Sequence, residues 1–289
     1  MKIKILIPVY NDWQSVFKLL ENINSEVSHL DQEFSVIIVN DASTETKPEL
    51  SVNLEKLNSI KIINMKENRG HARCNATGLK HIYENEEFDY VIPMDGDGED
   101  RPEEIKQLVD NLNYHPDKPI VGERIKRSEG IFFKFCYFVH KIITSTFTGQ
   151  SIKYGNYTCL PKSIVEKMIN EKATWSSFSG ALAKIAKDRA PIPSERGKRY
   201  FGPSKMSFKN LLIHSLSIVS VFKTNVLIRS ILFLIVYFFL IHQNITPIML
   251  IPVLLVFILI VSVIIISKRE NLEEFHNSLI NVSNIDNLK

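Results

Sequence analysis

The sequence predicts an α/β protein with a mostly parallel sheet flanked by helices, followed by a C-terminal hairpin of two transmembrane helices. Three observations predict this fold class. Strand-like apolar runs alternate with helix-length segments in the first third of the chain, which is the pattern of a parallel sheet. Polar residues follow the end of each run. Two apolar segments lie at 226–241 and 245–267, and the second is long enough to span a bilayer.

Four strands are predicted near the N-terminus, at 2–10, 34–40, 59–65 and 88–94. The first, KIKILIPVY, is nearly continuous in apolar residues, which is typical of a strand buried on both faces. A helix capped by Asp12 is expected to follow it and to continue to about residue 28, because apolar residues recur there at helical spacing. A further strand is expected before Pro161, with a helix starting near that residue.

The sequence also predicts where a ligand binds, because parallel α/β sheets bind ligands beyond the carboxyl ends of their strands. Polar residues follow all four strands, namely Asp12, Asp41, Asn68 with Arg69, and Asp95 with Asp97. We therefore expect one site built from these side chains. No Walker A or GxGxxG pattern occurs, so phosphates are expected at metal-bound carboxylates and at the helix N-terminus near Arg69.

The acidic stretch DGDGED at 95–100 is the strongest single motif. Carboxylates as close as Asp95 and Asp97 repel one another unless a cation neutralises them. Oxygen ligands favour Mg²⁺ or Mn²⁺, which in turn bind a diphosphate. An EF-hand is excluded, since its sixth and twelfth positions would be Asp100 and Lys106 rather than Gly and Glu. The alternative is a solvated strand-to-helix turn, because Asp and Gly are also turn residues.

Composition disfavours several other classes of protein. The formal charge is only +3 and no aromatic-basic RNA motif occurs, so no nucleic-acid partner is expected. The three cysteines, Cys74, Cys136 and Cys159, are widely spaced, which favours a reducing compartment over a disulfide framework. A small transporter or channel is disfavoured, because the two apolar segments contain no acidic residue.

Six motifs resemble those of a known enzyme family. Four are similar in order and spacing to the motifs of family 2 glycosyltransferases, which have the GT-A (Rossmann-like) fold: IPVYND at 7–12, VNDAST at 39–44, NRGHARCNATG at 68–78 and DGDGEDRPEE at 95–104. Two more resemble the polyprenyl-phosphate branch of that family, which is like dolichol-phosphate mannose synthase: VGERIKR at 121–127 and RYFGPSKM at 199–206. The order and spacing of the motifs match the family over roughly the first 125 residues.

The resemblance implies a nucleotide site at the ends of the first two strands. Pro8, Tyr10 and Asp12 would line the base and the ribose, and Asp41 would contact the base. Four positions differ from the usual family pattern: Asn40 stands where Asp is common, Ala42 where Gly is common, Gly98 where an apolar residue is common, and Glu99 where Gln is common.

The resemblance also implies the metal and phosphate contacts. Asp95 and Asp97 match the DxD pair that holds Mg²⁺ or Mn²⁺ and the donor diphosphate. Arg199, Ser204 and Lys205 match the motif that closes over phosphate oxygens of the donor or the lipid acceptor, where an arginine can bind two oxygens at once. The implied catalytic residues are Asp95, Asp97, Glu99 and Arg199.

The domain organisation follows from hydropathy. We predict a catalytic domain at 1–205, an amphipathic juxtamembrane helix at 206–224, two transmembrane helices within 225–267, and a cytoplasmic tail at 268–289 that is partly helical or disordered. Basic residues flank the hairpin on both sides but are absent from its HQN connection, so the positive-inside rule places the catalytic domain and both termini in the cytoplasm.

The aromatic stretch 130–148 is either a core helix or an interfacial helix. A homo-oligomer stays open, because two spans can pack against copies of themselves.

These expectations combine into a membrane-anchored, metal-dependent inverting glycosyltransferase. It would move a sugar from a nucleotide-sugar donor, a UDP- or GDP-sugar, to a polyprenyl (undecaprenyl or dolichyl) phosphate carrier. The alternative within the family is transfer to a hydroxyl of a lipid-linked glycan or cell-surface polysaccharide, which needs a general base, with Glu99 or Asp100 as the candidate. A catalytically silent membrane scaffold is disfavoured by the intact DxD pair.

Overall fold

The computed structural model describes residues 1–49, 53–126, 138–139, 141–203 and 207–289, and it confirms the predicted α/β fold class. One mixed sheet runs through the described part of the chain, with the strand order β7-β5-β6-β4-β1-β2-β3-β8. Its strands are β1 (Lys2–Val9), β2 (Glu33–Asn40), β3 (Leu57–Met65), β4 (Tyr90–Pro93), β5 (Ile120–Lys126), β6 (Tyr154–Pro161), β7 (Ala190–Glu195) and β8 (Val282–Asn287).

The helices lie between these strands and in the apolar C-terminal region. They are α1 (Trp13–Glu26), α2 (His71–Asn85), α3 (Ile105–Leu112), α4 (Lys162–Ile169), α5 (Phe178–Ile185), α6 (Phe208–Ser220), α7 (Lys223–Ile241), α8 (Ile251–Ser267) and α9 (Leu272–His276). A 3₁₀ turn at Pro102–Glu104 leads into α3, and another at Lys172–Trp175 precedes α5.

The central strands are parallel, as the alternation of strands and helices predicts. β1 pairs in parallel with β2 and β4, and β2 pairs in parallel with β3. β1 is buried on both faces: Ile5 and Ile7 belong to the core cluster that includes the apolar side of α1, whereas Leu6 lies against Gly78 of α2. The carboxyl ends of β1, β2, β3 and β4 therefore lie at the same edge of the sheet, which is where the predicted site residues follow.

The C-terminal tail differs from its prediction. It contains the short helix α9, but it continues into β8, which pairs antiparallel with β3 at the edge of the sheet. The sequence VSNIDN lacks the apolar alternation of a half-buried strand, and most of its side chains are exposed. This segment is a strand because its backbone pairs with β3. Backbone pairing alone imposes no hydrophobic pattern on the side chains, so the strand could not be recognised from the sequence.

The chain divides into two compact units. The first consists of Met1–Ser128, Lys153–Lys205 and Asn271–Lys289, and it holds the whole sheet. The second consists of Glu129–Ile152 and Met206–Glu270. Two helical stretches are long and apolar enough to cross a membrane: Lys223–Ile241, with a mean hydropathy of 2.2, and Pro247–His276, which contains α8 and reaches 3.4.

Within the second unit, α6, α7 and α8 meet around the buried residues Val219, Val226 and Val263. Residues 130–137 and 140 of the predicted helix at 130–148 lie outside the described residues. Its last turn, Thr144–Thr148, packs against α7, where Phe147 contacts the ring of Phe233 edge-on. The helix α6 lies within the segment 206–224, whose juxtamembrane role stays a prediction.

Candidate active site

The loops after β1 and β2 are joined to each other by Asn11. Its side-chain carbonyl accepts hydrogen bonds from the backbone N–H groups of Thr44, at 2.8 Å, and Glu45, at 3.1 Å. Asn11 and Ala42 both adopt positive φ angles, +50° and +54°. Ala42 is the position where the family usually has glycine, and this left-handed backbone gives the physical reason for that preference.

Asp41 fixes the entrance to α2. It is buried, and its two carboxylate oxygens accept hydrogen bonds from the backbone N–H groups of Arg69 and Gly70, both at 2.8 Å. The carboxylate thereby holds the loop after β3 against the end of β2. Its predicted contact with a nucleotide base stays a prediction, as do those of Pro8, which is buried in β1, and Tyr10, which is exposed just after it.

Asp95 lies where three elements converge. Its Oδ1 is 3.3 Å from His71 Nε2, in the first turn of α2, and 3.3 Å from Asn156 Nδ2, on β6. Burial raises the pKa of the Asp95 carboxyl, but His71, Arg124 and Asn156 outweigh burial and hold that pKa well below its usual range. Asp95 is therefore ionised at neutral pH. None of the described residues donates a hydrogen bond to its other oxygen, Oδ2.

Asp97 and Asp12 share one arginine, Arg199. Arg199 Nη1 donates to Asp97 Oδ2, and Arg199 Nη2 lies 2.8 Å from Asp12 Oδ2. Asp12 is the N-cap residue of α1, as predicted, but its side chain does not cap the helix, because it binds Arg199 instead. The segment after β7 thereby brings Arg199 to the ends of β1 and β4.

The acidic loop carries more negative charge than its arginines balance. Burial and the nearby Asp95 raise the pKa of Asp97 to about 6, although Arg199 opposes the rise. Burial, again followed by Asp95, raises the pKa of Asp100 to about 8. Glu99 forms an ion pair with Arg196. A cation placed at this loop would relieve the repulsion by Asp95 that, together with burial, raises the pKa values of Asp97 and Asp100.

The donor set at this loop suits a hard divalent cation. The acidic side chains offer carboxylate oxygens, and Oδ2 of Asp95 accepts no hydrogen bond from a described residue. No group of three or more His, Cys, Asp or Glu side chains within the described ranges is already arranged as a metal centre. A cation would therefore complete its coordination with oxygens from elsewhere, such as those of a diphosphate or of water.

The structure brings together most of the predicted site residues. Asp12 and Asp97 both contact Arg199, Asp95 and Glu99 belong to the same loop as Asp97, and Arg69 lies at the entrance to α2. Ser204 and Lys205 lie outside the described residues. Sequence reasoning missed His71, Asn156 and Arg196. His71 lies inside the NRGHARCNATG motif, and this location in a motif was the one sequence feature that could have identified it as a site residue.

Position 98 favours glycine for two reasons, the left-handed backbone conformation at that position and the close approach of Tyr200. Its φ is +87°, and a Cβ atom there would lie 2.5 Å from the ring of Tyr200. We expect Gly98→Ala to lower the free energy of unfolding by about 2–4 kcal/mol, combining left-handed strain with steric overlap. Gly202→Ala is the control, because its φ is +62° and no described residue lies within 4 Å of its Cβ position. Equal losses in denaturant titrations of the two variants would contradict the role of Tyr200.

The pKa values of Asp97 and Asp100 predict how stability depends on pH. Both lie above the ordinary value of 3.8, so these two groups hold more protons in the folded metal-free protein than in the unfolded chain between about pH 4 and pH 8. The contribution of these two groups is complete below pH 4 and is lost as pH rises through 6 and 8. We expect Asp100→Asn to flatten the upper part of this decline in denaturant titrations between pH 5 and pH 8.5. The prediction would be contradicted if the wild type lost no more unfolding free energy than Asp100→Asn between pH 5 and pH 8.5.

Comparisons with known proteins agree with this geometry. The profile of glycosyl transferase family 2 matches residues 4–163, just over half of the 289 residues. The chain belongs to this family and is a glycosyltransferase, which confirms the resemblance in its motifs. Undecaprenyl-phosphate 4-deoxy-4-formamido-L-arabinose transferases from Salmonella choleraesuis and Salmonella paratyphi B are each 28% identical to it over 236 residues, covering 78% of this chain and 69% of the relative.

Solved structures show the same fold. Glucosyl-3-phosphoglycerate synthase from Mycobacterium tuberculosis, in complex with Mn²⁺, UDP and glucosyl-3-phosphoglycerate, has a TM-score of 0.56 at 11% identity and covers 78% of this chain and 79% of that one. TarS residues 1–349 from S. aureus, in complex with UDP-GlcNAc, has a TM-score of 0.52 at 15% identity and covers 80% of this chain and 70% of that one. The GT-A fold expected from the motifs is thereby confirmed.

Proposed function

We propose that this protein is a membrane-anchored inverting glycosyltransferase that moves a sugar from a nucleotide-sugar donor to a polyprenyl phosphate. The observation that carries the proposal is the meeting of Asp12, Asp97 and Arg199 at the strand ends, next to Asp95. This arrangement joins the predicted nucleotide end of the site to its predicted metal end. The names of the Salmonella relatives, which are undecaprenyl-phosphate transferases, support a polyprenyl phosphate as acceptor.

We assign the donor to the edge formed by β1, β2 and β4. Pro8, Tyr10, Asp12 and Asp41 would bind the nucleoside, and Arg69 would bind the diphosphate beside the N-terminus of α2. Asp95 and Asp97 would hold Mg²⁺ or Mn²⁺, which when bound neutralises charge on the leaving diphosphate. The glucosyl-3-phosphoglycerate synthase of the same fold is solved with Mn²⁺ and UDP, which supports this assignment.

Arg199 would exchange partners when the donor binds. Its guanidinium pairs with Asp97 and Asp12, and it carries donors suited to two phosphate oxygens at once. A cation at Asp97 would displace it from that carboxylate and free it for the phosphates of the donor or the acceptor. Ser204 and Lys205, from the same motif, would join it there.

The surroundings of the candidate bases favour a phosphate acceptor over a hydroxyl acceptor. Glu99 is engaged by Arg196, and Asp100 is buried and accepts a hydrogen bond from the backbone N–H of Asp95 at 2.8 Å. Neither carboxylate is placed as a free general base. A phosphate monoester is already ionised near neutral pH, so it can attack the anomeric carbon without one. Transfer to a glycan hydroxyl is the less favoured alternative.

We further propose that the hairpin α7–α8 anchors the enzyme to the membrane, with the domain boundaries predicted above and with the catalytic domain and both termini in the cytoplasm. Apolar side chains cover the outside of both helices, including Leu232, Phe239, Leu255 and Ile265, each more than half exposed. Such a surface suits a bilayer. The site would then face cytoplasmic nucleotide sugars and receive its lipid from the membrane.

Two measurements on the detergent-solubilised full chain test this function. First, thermal shifts are recorded with UDP- and GDP-sugars, with and without Mn²⁺ or Mg²⁺. We expect one nucleotide class to stabilise the protein, by about 2.7 kcal/mol at a hundredfold excess over its dissociation constant, and EDTA to remove most of this effect. Second, sugar transfer is measured with undecaprenyl phosphate and with undecaprenol, which lacks the phosphate.

Transfer to undecaprenyl phosphate but not to undecaprenol is the expected outcome. Transfer to a lipid-linked glycan in place of the phosphate would favour the hydroxyl alternative. A wild-type protein that neither binds a nucleotide sugar nor transfers one would overturn the proposed function.

A further inference from the structure

The C-terminal tail is docked on the first unit by a buried aromatic residue. Phe275 of α9 is fully buried, and its ring stacks on Trp175 with the centroids 5.5 Å apart. The guanidinium of Arg73, on α2, also lies over the Trp175 ring, at 5.2 Å from its centroid. Together with the pairing of β8 and β3, these contacts hold the tail in one place beside α2.

This docking puts Glu274 against two arginines near the entrance to α2. Glu274 Oε1 lies 3.2 Å from Arg69 Nη1, and Glu274 Oε2 lies 3.5 Å from Arg73 Nη2. The position of Glu274 is fixed in turn, because its backbone N–H donates to the side chain of Asn271, the N-cap of α9, at 3.0 Å. A carboxylate from the tail therefore sets the direction of the Arg69 side chain.

The backbone of Arg69 is already part of the site, since its N–H donates to Asp41. Its guanidinium contacts Glu67, at 3.0 Å, as well as Glu274. A guanidinium has five N–H donors, so these two contacts leave donors for a phosphate. A long side chain that is held in place before a ligand arrives loses less conformational entropy on binding, and affinity rises accordingly.

We infer that Glu274 is a positioning residue for the donor diphosphate and that it acts through Arg69. The inference rests on the proposed function, because it takes Arg69 as a phosphate ligand. The opposite role, a tail carboxylate that occupies the arginines and competes with the phosphate, fits the structure less well. Phe275 would have to leave its buried position for the tail to move away, which costs apolar burial.

The test compares two neutralised glutamates in the first turn of α9. Glu274→Gln removes the charge that the arginines contact. Glu273→Gln removes an equal charge from an exposed neighbour that has no ion-pair partner among the described residues. Donor affinity and steady-state transfer are measured for both variants in the full chain, with the nucleotide sugar that stabilises the wild type.

We expect Glu274→Gln to raise the donor KM roughly tenfold, the size of one charge-assisted hydrogen bond, with kcat at saturating donor and the melting temperature unchanged. Glu273→Gln is expected to match the wild type. Glu274→Asp, which keeps the charge, is expected to recover part of the affinity. In an Arg69→Ala background, Glu274→Gln is expected to have no further effect, because it acts through that side chain.

The outcomes separate this inference from the proposed function. Equal KM values for Glu274→Gln and Glu273→Gln, with a wild type that binds and transfers a sugar, overturn the positioning role alone. Tighter donor binding by Glu274→Gln overturns it in favour of competition. An added loss from Glu274→Gln in the Arg69→Ala background shows that the effect does not pass through Arg69. A wild type that binds no nucleotide sugar overturns both proposals.

Discussion

Asp97→Asn is expected to lower the rate of sugar transfer by about a hundredfold to a thousandfold, the size seen when one electrostatic group is removed from a transition state. The substitution removes a carboxylate that would bind the cation and that orients Arg199. The fold should survive, because burial and the neighbouring Asp95 raise the pKa of Asp97, so a neutral side chain is favoured at this position in the metal-free protein. Transfer, the melting temperature and Mn²⁺ affinity are the measurements.

Asp31→Asn is the control, since Asp31 is an exposed aspartate outside the site. It should leave all three quantities as in the wild type. Transfer to undecaprenyl phosphate that persists unchanged in Asp97→Asn would overturn the metal role of this residue. Loss of transfer with Mn²⁺ affinity unchanged would instead restrict Asp97 to orienting Arg199.

Arg199→Ala is expected to separate metal binding from transfer. Asp97 and Asp12 would both lose their shared cation, which should cost the metal-free protein about 3 kcal/mol of stability, as for other largely buried ion pairs. Mn²⁺ should bind more tightly, because Arg199 no longer competes for Asp97. Transfer should nevertheless fall by about a hundredfold, since the guanidinium would be missing from the phosphates. Calorimetric titration with Mn²⁺ and a transfer assay measure the two effects.

Lys198→Ala is the matched control, because Lys198 is an exposed cation next to Arg199 with no ion-pair partner in the described part of the chain. Arg199→Lys should restore less than half of the stability that Arg199→Ala loses, because an ammonium group cannot bridge two carboxylates as a planar guanidinium does. Weaker Mn²⁺ binding in Arg199→Ala than in the wild type would show that Arg199 supports the cation and does not compete with it.

The sequence was sufficient to predict β1 through β4 and the edge of the sheet at which the candidate site lies. β1 through β4 are apolar runs long enough to be recognised, and the parallel arrangement then places the residues that follow them at one edge.

The structure also gives a physical meaning to Ala42, one of the positions that differ from the usual family pattern. A position where glycine is usual holds an alanine at φ +54°, so the loop keeps its left-handed turn at some cost in strain.

Contacts between residues distant in sequence could not be predicted. Asp12 was expected to cap α1, but its partner is Arg199, which lies 187 positions further along the chain. His71 and Asn156 converge on Asp95 from α2 and β6, and only the packing of those elements brings them together. The pairing of Arg196 with Glu99 depends in the same way on the course of the segment after β7.

The position of β8 in the chain has a consequence for the order of events during synthesis. β3 is made early, whereas its edge partner β8 follows α7 and α8 and leaves the ribosome only after both of them. Until then β3 is an uncovered strand edge, and such edges pair readily with other chains. The sheet can therefore be completed only after the apolar helices α7 and α8 have been synthesised. The unit that holds the sheet reaches its final fold only after the helical hairpin has been translated.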